Sequence, residues 1–181
     1  TLSQQHYVPL HLQTEYSLLD GAIRTTQLCE FAKENNMPAV AITDHGVMYG
    51  ALDLYIHAKD IGVKPIIGCE FYVTTGDIKD KSQNNREYFH LVLIAKNETG
   101  YKNLIKLVSI AQIDGFYYKP RINYELLKTY HEGLICLSAC LQGEICQTLL
   151  KKSYQETLEG AKFYKELFND DYYLEIQDHG L

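Results

Sequence analysis

Ala39-Val-Ala-Ile-Thr43 is a short, unbroken apolar run between Pro38 and Asp44-His45-Gly46. A strand with one wet face alternates apolar and polar residues. A run without polar interruption suits a strand covered on both faces, as in a sheet with helices packed over it. The rest of the chain repeats that theme. Further strands are predicted over residues 7–12, 65–73, 90–95, 133–138 and 172–177. Between them lie segments with helical spacing. Residues 26–35 place Leu28, Phe31 and Ala32 on one stripe. Residues 48–61 do so with Met48, Leu52, Tyr55 and Ile56, and stop at Gly62. Asn97 can cap a helix that buries Leu104, Leu107, Val108 and Ala111. Ser153-x-x-Glu156 is a capping box ahead of Leu158, Ala161, Tyr164 and Phe168.

The resulting order, β-α-β-α-β-β-α-β-α-β, predicts an α/β fold with a mainly parallel sheet, open or curling toward a barrel. Residues 76–87 have no apolar periodicity and read as a mobile loop. That loop lets 65–75 and 88–95 pair antiparallel as a long hairpin. At 181 residues, 46% apolar and 22% charged, the chain can bury a sizeable core as one domain.

Composition also narrows the function. No apolar run approaches the roughly 18 residues of a membrane span, so no membrane partner is expected. Thr1-Leu-Ser-Gln-Gln-His-Tyr7 has neither a basic start nor an apolar core, and no secretory signal is read there. Five cysteines, at 29, 69, 136, 140 and 146, are odd in number and lack Cys-x-x-Cys spacing. Reduced thiols and a cytoplasmic location are expected. A net charge of −6 excludes gripping nucleic acid by bulk charge. Only residues 61–120 are net basic, with 8 basic against 6 acidic side chains, so phosphate contacts belong there.

Parallel α/β sheets carry their function at the carboxyl ends of the strands. Those ends hold His11-Leu-Gln13 with Asp20 a few residues on, then Asp44-His45 and Ser138-Ala-Cys140, while Gly68-Cys-Glu70 lies within its strand. Imidazole, carboxylate and thiolate are metal-ligand types. His11 and Gln13, at i and i+2, would share a strand face. His90 opens its strand, which is the wrong edge of a parallel sheet; the hairpin would return it to the right one. Asp44, just before Gly46, suits a helix cap instead. His6, His57, His131 and His179 lack such placement and read as surface or packing residues, and the Asp178-His179-Gly180 repeat of Asp44-His45-Gly46 carries little weight. A carboxylate such as Glu70 can bridge two cations, and such a set suits phosphate-ester hydrolysis by metal-activated water. Neither a Gly-x-Ser-x-Gly nucleophile elbow nor a P-loop is present, which removes support for acyl transfer and P-loop nucleotide hydrolysis.

Five blocks carry a family resemblance: residues 11–21, Ala41-Ile-Thr-Asp-His-Gly46, Lys64-Pro-Ile-Ile-Gly-Cys-Glu70, Gly115-Phe-Tyr-Tyr-Lys-Pro-Arg121 and residues 132–140. They resemble the PHP (polymerase and histidinol phosphatase) domain at the start of bacterial DNA polymerase III alpha subunits. The resemblance implies a distorted (β/α)7 barrel, with closing strands and a final Asp-x-His pair expected beyond Leu181, so that this chain alone is an incomplete barrel. It implies up to three divalent metal ions, zinc foremost, with manganese or magnesium as alternatives. Carried over by position, the ligands are His11, Asp20, His45, Glu70, His90 and Cys140. The family's His-x-His is here His11-Leu-Gln13, and the Gln13 oxygen is a poorer zinc ligand than imidazole.

Three functions follow as expectations. One is a metal-dependent 3′–5′ exonuclease site acting on a DNA 3′ end within the alpha subunit, alongside other replisome subunits. Another is a degraded structural platform in the same replicase. The third is a free-standing phosphatase. Tyr117, Tyr118, Lys119 and Arg121 interleave aromatic and basic groups and are expected to meet the DNA, by stacking and by phosphate contact. A turn whose aromatics pack on the barrel rim is the alternative.

Overall fold

The computed structural model describes residues 7–178. In chain order these form α1 (Thr25–Glu34), β1 (Ala39–Ile42), α2 (Ala51–Asp60), β2 (Lys64–Thr74), β3 (Phe89–Ala95), α3 (Glu98–Ile113), β4 (Phe116–Tyr117), β5 (Lys119–Asn123), α4 (Tyr124–Tyr130), β6 (Leu134–Leu137), α5 (Glu144–Lys151), α6 (Tyr154–Phe168) and β7 (Tyr172–Tyr173). Among the described residues no helix is long and apolar enough to cross a membrane.

The strands form the wall of an incomplete, distorted α/β barrel, in the order β4-β5-β2-β3-β6-β7 with β1 beside β2. Five strands run one way; β3 and the two-residue β4 run against them. The expectation of a mainly parallel sheet therefore holds for strand direction but not for pairing. Because β3 sits between β2 and β6, the centre of the sheet is antiparallel. The β2–β3 hairpin sets Tyr72 opposite His90, so the start of β3 lies at the carboxyl end of β2.

Period-two alternation sorts the side chains. Cys69, Phe71 and Val73 of β2 join Leu91 and Leu93 of β3 and Cys136 of β6 in the main core, under Leu104, Leu107 and Ala111 of α3 and Tyr164 and Phe168 of α6. Ile66, Val92, Ile94, Ile135 and Leu137 line the opposite, inner face. Glu70 and His90 follow that same inner face toward the carboxyl end of β2.

Two strands shrink relative to expectation. Residues 7–12 are not a strand. Pro9 lacks an amide proton, and the Leu12 N–H donates to the Thr43 hydroxyl (2.7 Å), so only the Leu12 carbonyl pairs with backbone, accepting from the Thr43 N–H (2.9 Å). The last strand pairs only at Tyr172 and Tyr173. Beyond it the Glu175 N–H donates to the Ser138 hydroxyl at 2.8 Å. Two helices escaped the periodicity reading, α4 and α5. The Asn123 side chain caps α4 by accepting from the Leu126 N–H, a signal that Asn-Tyr-Glu-Leu offered. The caps read at Asn97 and Ser153 form as expected.

Residues 76–87 contain one 3-10 turn, bury Ile78 and are otherwise held by polar bonds. Asn85 is buried; its amide donates to the Asp77 carbonyl at 2.6 Å and accepts from the Thr74 hydroxyl at 2.9 Å.

Candidate metal centre

Glu70 is the hub. Its side chain is 1% exposed, and nitrogens from three imidazoles and one amide converge on it. His11 Nε2 lies 2.9 Å and His45 Nδ1 3.0 Å from Oε2; His90 Nδ1 lies 2.7 Å from Oε1. The Gln13 amide donates to Oε2 at 2.8 Å. His11 and Gln13 thus face one way as expected, although an irregular segment, not a strand, aims them.

Local backbone explains how the others arrive. The Glu70 N–H donates to the Asp44 carbonyl (2.9 Å) and the Gly46 N–H to the Glu70 carbonyl (2.8 Å), which clamps His45 beside Glu70. Gly46 has φ +65°, and a Cβ there would stand 2.5 Å from Pro120 Cγ, so the turn that presents His45 needs glycine. Ala139 takes a left-handed backbone at φ 63°, a conformation that costs an L-residue about 1 kcal/mol. The bend brings Cys140 Sγ to 3.7 Å from His90 Nδ1. The loop after it is pinned by the His90 N–H donating to the Gln142 carbonyl at 3.0 Å.

Asp20 is the outlier of the expected set. It is exposed, and its Oδ2 stands 3.6 Å from His45 Nε2. Asp44 is not a helix cap. It is buried and accepts from the Thr14 N–H (2.6 Å), the Thr14 hydroxyl (2.8 Å) and the Ser17 hydroxyl (2.7 Å), which folds residues 14–17 against the site. His131 caps its own helix end by contact with the Lys128 carbonyl, and His57 is exposed. His6 and His179 lie outside the described residues.

Glu175 is a site residue that the sequence reading missed. Its Oε1 lies 2.7 Å from His11 Nδ1, on the far side of the ring from Glu70. A carboxylate on Nδ1–H fixes the tautomer and leaves Nε2 free to bind a cation. The alternation of Tyr173, Glu175 and Gln177 along an extended segment was the available signal.

The electrostatics follow from this packing. Burial alone would lower the His11 pKa, but Glu175 and Glu70 against its two nitrogens outweigh it and raise it to about 10. Burial also opposes charge on His90, yet Cys140 and Glu70 raise it to about 9. Burial would raise the Glu70 pKa; the surrounding imidazoles hold it well below the carboxylate range. Burial likewise favours a neutral Cys140 thiol, and His90 with the Gln142 N–H pulls its pKa below the ordinary thiol value.

His45, Glu70 and His90 present ligand atoms that all lie within 4.8 Å of one another. The His45 Nδ1 atom is buried and, despite its 3.0 Å approach to Glu70, lacks a hydrogen-bond partner of proper direction. Leaving such a nitrogen unpaired costs about 1–3 kcal/mol, and a cation would satisfy it. Imidazole, carboxylate and thiolate together are donors suited to a divalent metal. The residues therefore fit one.

A cation can use these imidazoles only after they lose their protons. Affinity should rise with pH until His90 and His11 deprotonate, near 9 and 10. At pH 7, calorimetry in buffers of different ionisation enthalpy should show about two protons released per bound cation. Release near zero would contradict these charge states.

The expected DNA-contacting residues divide. Tyr118 and Lys119 are exposed and Tyr117 is half-buried. Arg121 is a correction: its guanidinium is fully buried and donates to the carbonyls of Gly115, Asn85, Ile78 and Asp80, at 3.1, 2.6, 3.0 and 3.2 Å. Those donors are spent on the backbone and do not reach a phosphate.

Among known proteins, residues 9–179 match the PHP domain family. The chain is 43% identical over 180 residues to the DNA polymerase III subunit alpha of Borreliella burgdorferi, covering 98% of this chain and 16% of that protein. It is 47% identical over 183 residues to that of Treponema pallidum, covering 99% and 16%. With that of Campylobacter jejuni it shares 50% identity over 186 residues, covering 97% and 15%. The chain thus spans 15–16% of the length of these relatives. A partial likeness of fold is to an amidohydrolase from Chromobacterium violaceum, with a TM-score of 0.43 and 24% identity, covering 58% of this chain and 33% of that one.

Proposed function

This chain belongs to the PHP domain family, and on that premise we propose that it is a metal-dependent phosphodiesterase module acting on DNA 3′ ends within a bacterial DNA polymerase III alpha subunit. The observation that carries the reading is the convergence of three imidazoles on the two oxygens of Glu70.

His11, His45, Glu70 and His90 would hold the metal, with Cys140 and Asp20 at its margins. Nitrogen and sulfur donors favour zinc, while manganese or magnesium would lean on Glu70 and Asp20. A bound divalent cation supplies Lewis acidity, which lowers the pKa of water to near neutrality and offsets charge on phosphate oxygens. The chain's own groups do the rest. Glu70 stays ionised, the Gln13 amide orients it, and Glu175 holds His11 in the tautomer that frees Nε2. In this reading the partners are the rest of the alpha subunit, the other replisome subunits and the DNA end, in the cytoplasm.

The test is elemental analysis of the full-length protein together with a 3′–5′ exonuclease assay. At least one zinc or manganese per chain is expected, with hydrolysis falling about 100-fold or more under chelation and returning with added metal. Metal-free protein with chelator-resistant activity would overturn the proposal.

A degraded platform is the second reading, favoured by Gln13 and by the exposure of Asp20. Gln13→His supplies the imidazole that the family pattern has there. It is expected to tighten metal binding about 10- to 100-fold and raise any hydrolysis. If the site is only structural, His45→Ala leaves exonuclease activity unchanged and lowers thermal stability alone.

A further inference from the structure

A row of aromatic rings leads outward from the metal centre. The Tyr72 ring stacks against His45 (centroids 6.1 Å, 19°) and meets His90 edge-on at 5.2 Å. Tyr88 lies nearly parallel to His90 (6.2 Å, 11°) and edge-on to Tyr72 at 5.1 Å. Two cations stand over this row and its neighbour. Lys119 Nζ lies 5.3 Å from the Tyr72 ring centre, and the Arg86 guanidinium lies 4.6 Å from that of Tyr118. Neither cation forms an ion pair among the described residues.

The wall is built, not incidental. Tyr118 tips the β4–β5 hairpin at φ 59° and packs edge-on against Tyr117 at 4.7 Å. Tyr117 in turn faces the Arg121 guanidinium at 5.2 Å. That guanidinium ties the hairpin to the 76–87 loop through the carbonyls of Gly115, Ile78, Asp80 and Asn85. Arg86 and Tyr88, from the loop's end, are thereby held beside Tyr118 and Lys119 from the hairpin.

We infer that this wall is the nucleotide-binding side of the metal centre. Tyr88 and Tyr118 stack on bases of a single-stranded DNA end, and Arg86 and Lys119 hold its backbone phosphates. The inference rests on reading the centre as acting at DNA ends, and it names the substrate as an unpaired strand several nucleotides long. Two rings and two cations, each cation held over a tyrosine face, exceed what one small phosphate monoester can engage. Alternation of ring and cation beside a reaction centre is the arrangement that binds single strands with little sequence preference.

The experiment uses full-length protein, stripped of metal by chelator, with a single-stranded oligonucleotide carrying 5-iododeoxyuridine at its 3′ end. After irradiation, the cross-linked peptide is mapped by mass spectrometry. Cross-links are expected on the peptides holding Tyr88 or Tyr118. Their yield should fall about tenfold in Arg86→Ala/Lys119→Ala, and the salt dependence of capture should flatten by roughly 0.7 per lost phosphate contact. Tyr88→Phe should retain capture and Tyr88→Leu lose it. Cross-links mapping wholly elsewhere, or a double variant with unchanged yield, would overturn the inference. Cross-linking at Tyr88 without chelator-sensitive hydrolysis would sink the hydrolytic reading alone and leave this one standing. Hydrolysis without cross-links here would do the reverse.

Discussion

Glu70→Gln is expected to strip the metal from the domain and to lower its stability by about 3 kcal/mol, even before any metal is added. The carboxylate is buried, and its charge acts with Glu175 on His11 and with Cys140 on His90 to keep both imidazoles protonated. An amide of the same shape keeps the packing but removes the charge. The imidazoles then either repel one another or lose their protons inside a site built to hold them charged. Breaking one side of a buried ion cluster typically costs about 3–5 kcal/mol, and the lower end applies because the imidazoles can neutralise. For a chain of this length about 3 kcal/mol corresponds to roughly 10 °C in Tm. Thermal unfolding in chelator and elemental analysis of the same preparation read the two effects separately. A variant that melts within a degree of the parent, or that keeps its metal, would contradict the assignment of Glu70 as hub.

Arg121→Met should loosen the molecule at a different place. Methionine matches the length of the arginine stem but returns none of its bonds to four backbone carbonyls. The Asn85 carbonyl then loses its donor, at about 1–3 kcal/mol, while the Ile78, Asp80 and Gly115 carbonyls keep second donors in Lys81, the Asn85 amide and the Arg121 backbone N–H, so a loss of about 2–3 kcal/mol is expected. The damage should be local as well as global, since three of those carbonyls belong to residues 78, 80 and 85 of the 76–87 loop. Trypsin should then cut at Lys79, Lys81 or Arg86 at least about tenfold faster than in the parent, because proteolysis reads local opening. With Arg121 intact the loop is expected to resist cleavage under the same conditions. Equal cleavage rates would mean that the guanidinium does not hold the loop.

These two residues also mark how far the sequence could be read. Glu70 was legible because it is a carboxylate inside the apolar strand run from Pro65 to Val73, a place that can be found without knowing the fold in detail. His90 was legible only through the hairpin, since β3 runs against its neighbours. Arg121 was not legible. A basic residue in an aromatic turn looks like a surface group, and only three-dimensional placement reveals carbonyls arranged to receive it. Glu175 was missed for a related reason: its role depends on His11, 164 positions away. The helix α5 escaped because only Thr148 is buried on it while Leu149 and Leu150 are exposed, so its apolar pattern does not show a buried stripe. The strand expected over residues 7–12 failed because apolar pattern alone does not supply a partner edge.

The residues of the candidate metal centre differ greatly in how much chain must be closed to bring them together. His90 meets Glu70 across 20 positions, within one hairpin. His45 is not much farther away. His11 is gripped by Glu175 across 164 positions, between the two extremities of the fold. Loop-closure entropy grows by about 0.6 kcal/mol per doubling of length, so the long closure costs roughly 2 kcal/mol more than the short one. The imidazole clamped between two carboxylates is thus also the one against which chain entropy pulls hardest. Local opening at the extremities would detach His11 and Glu175 while His45, Glu70 and His90 stay assembled.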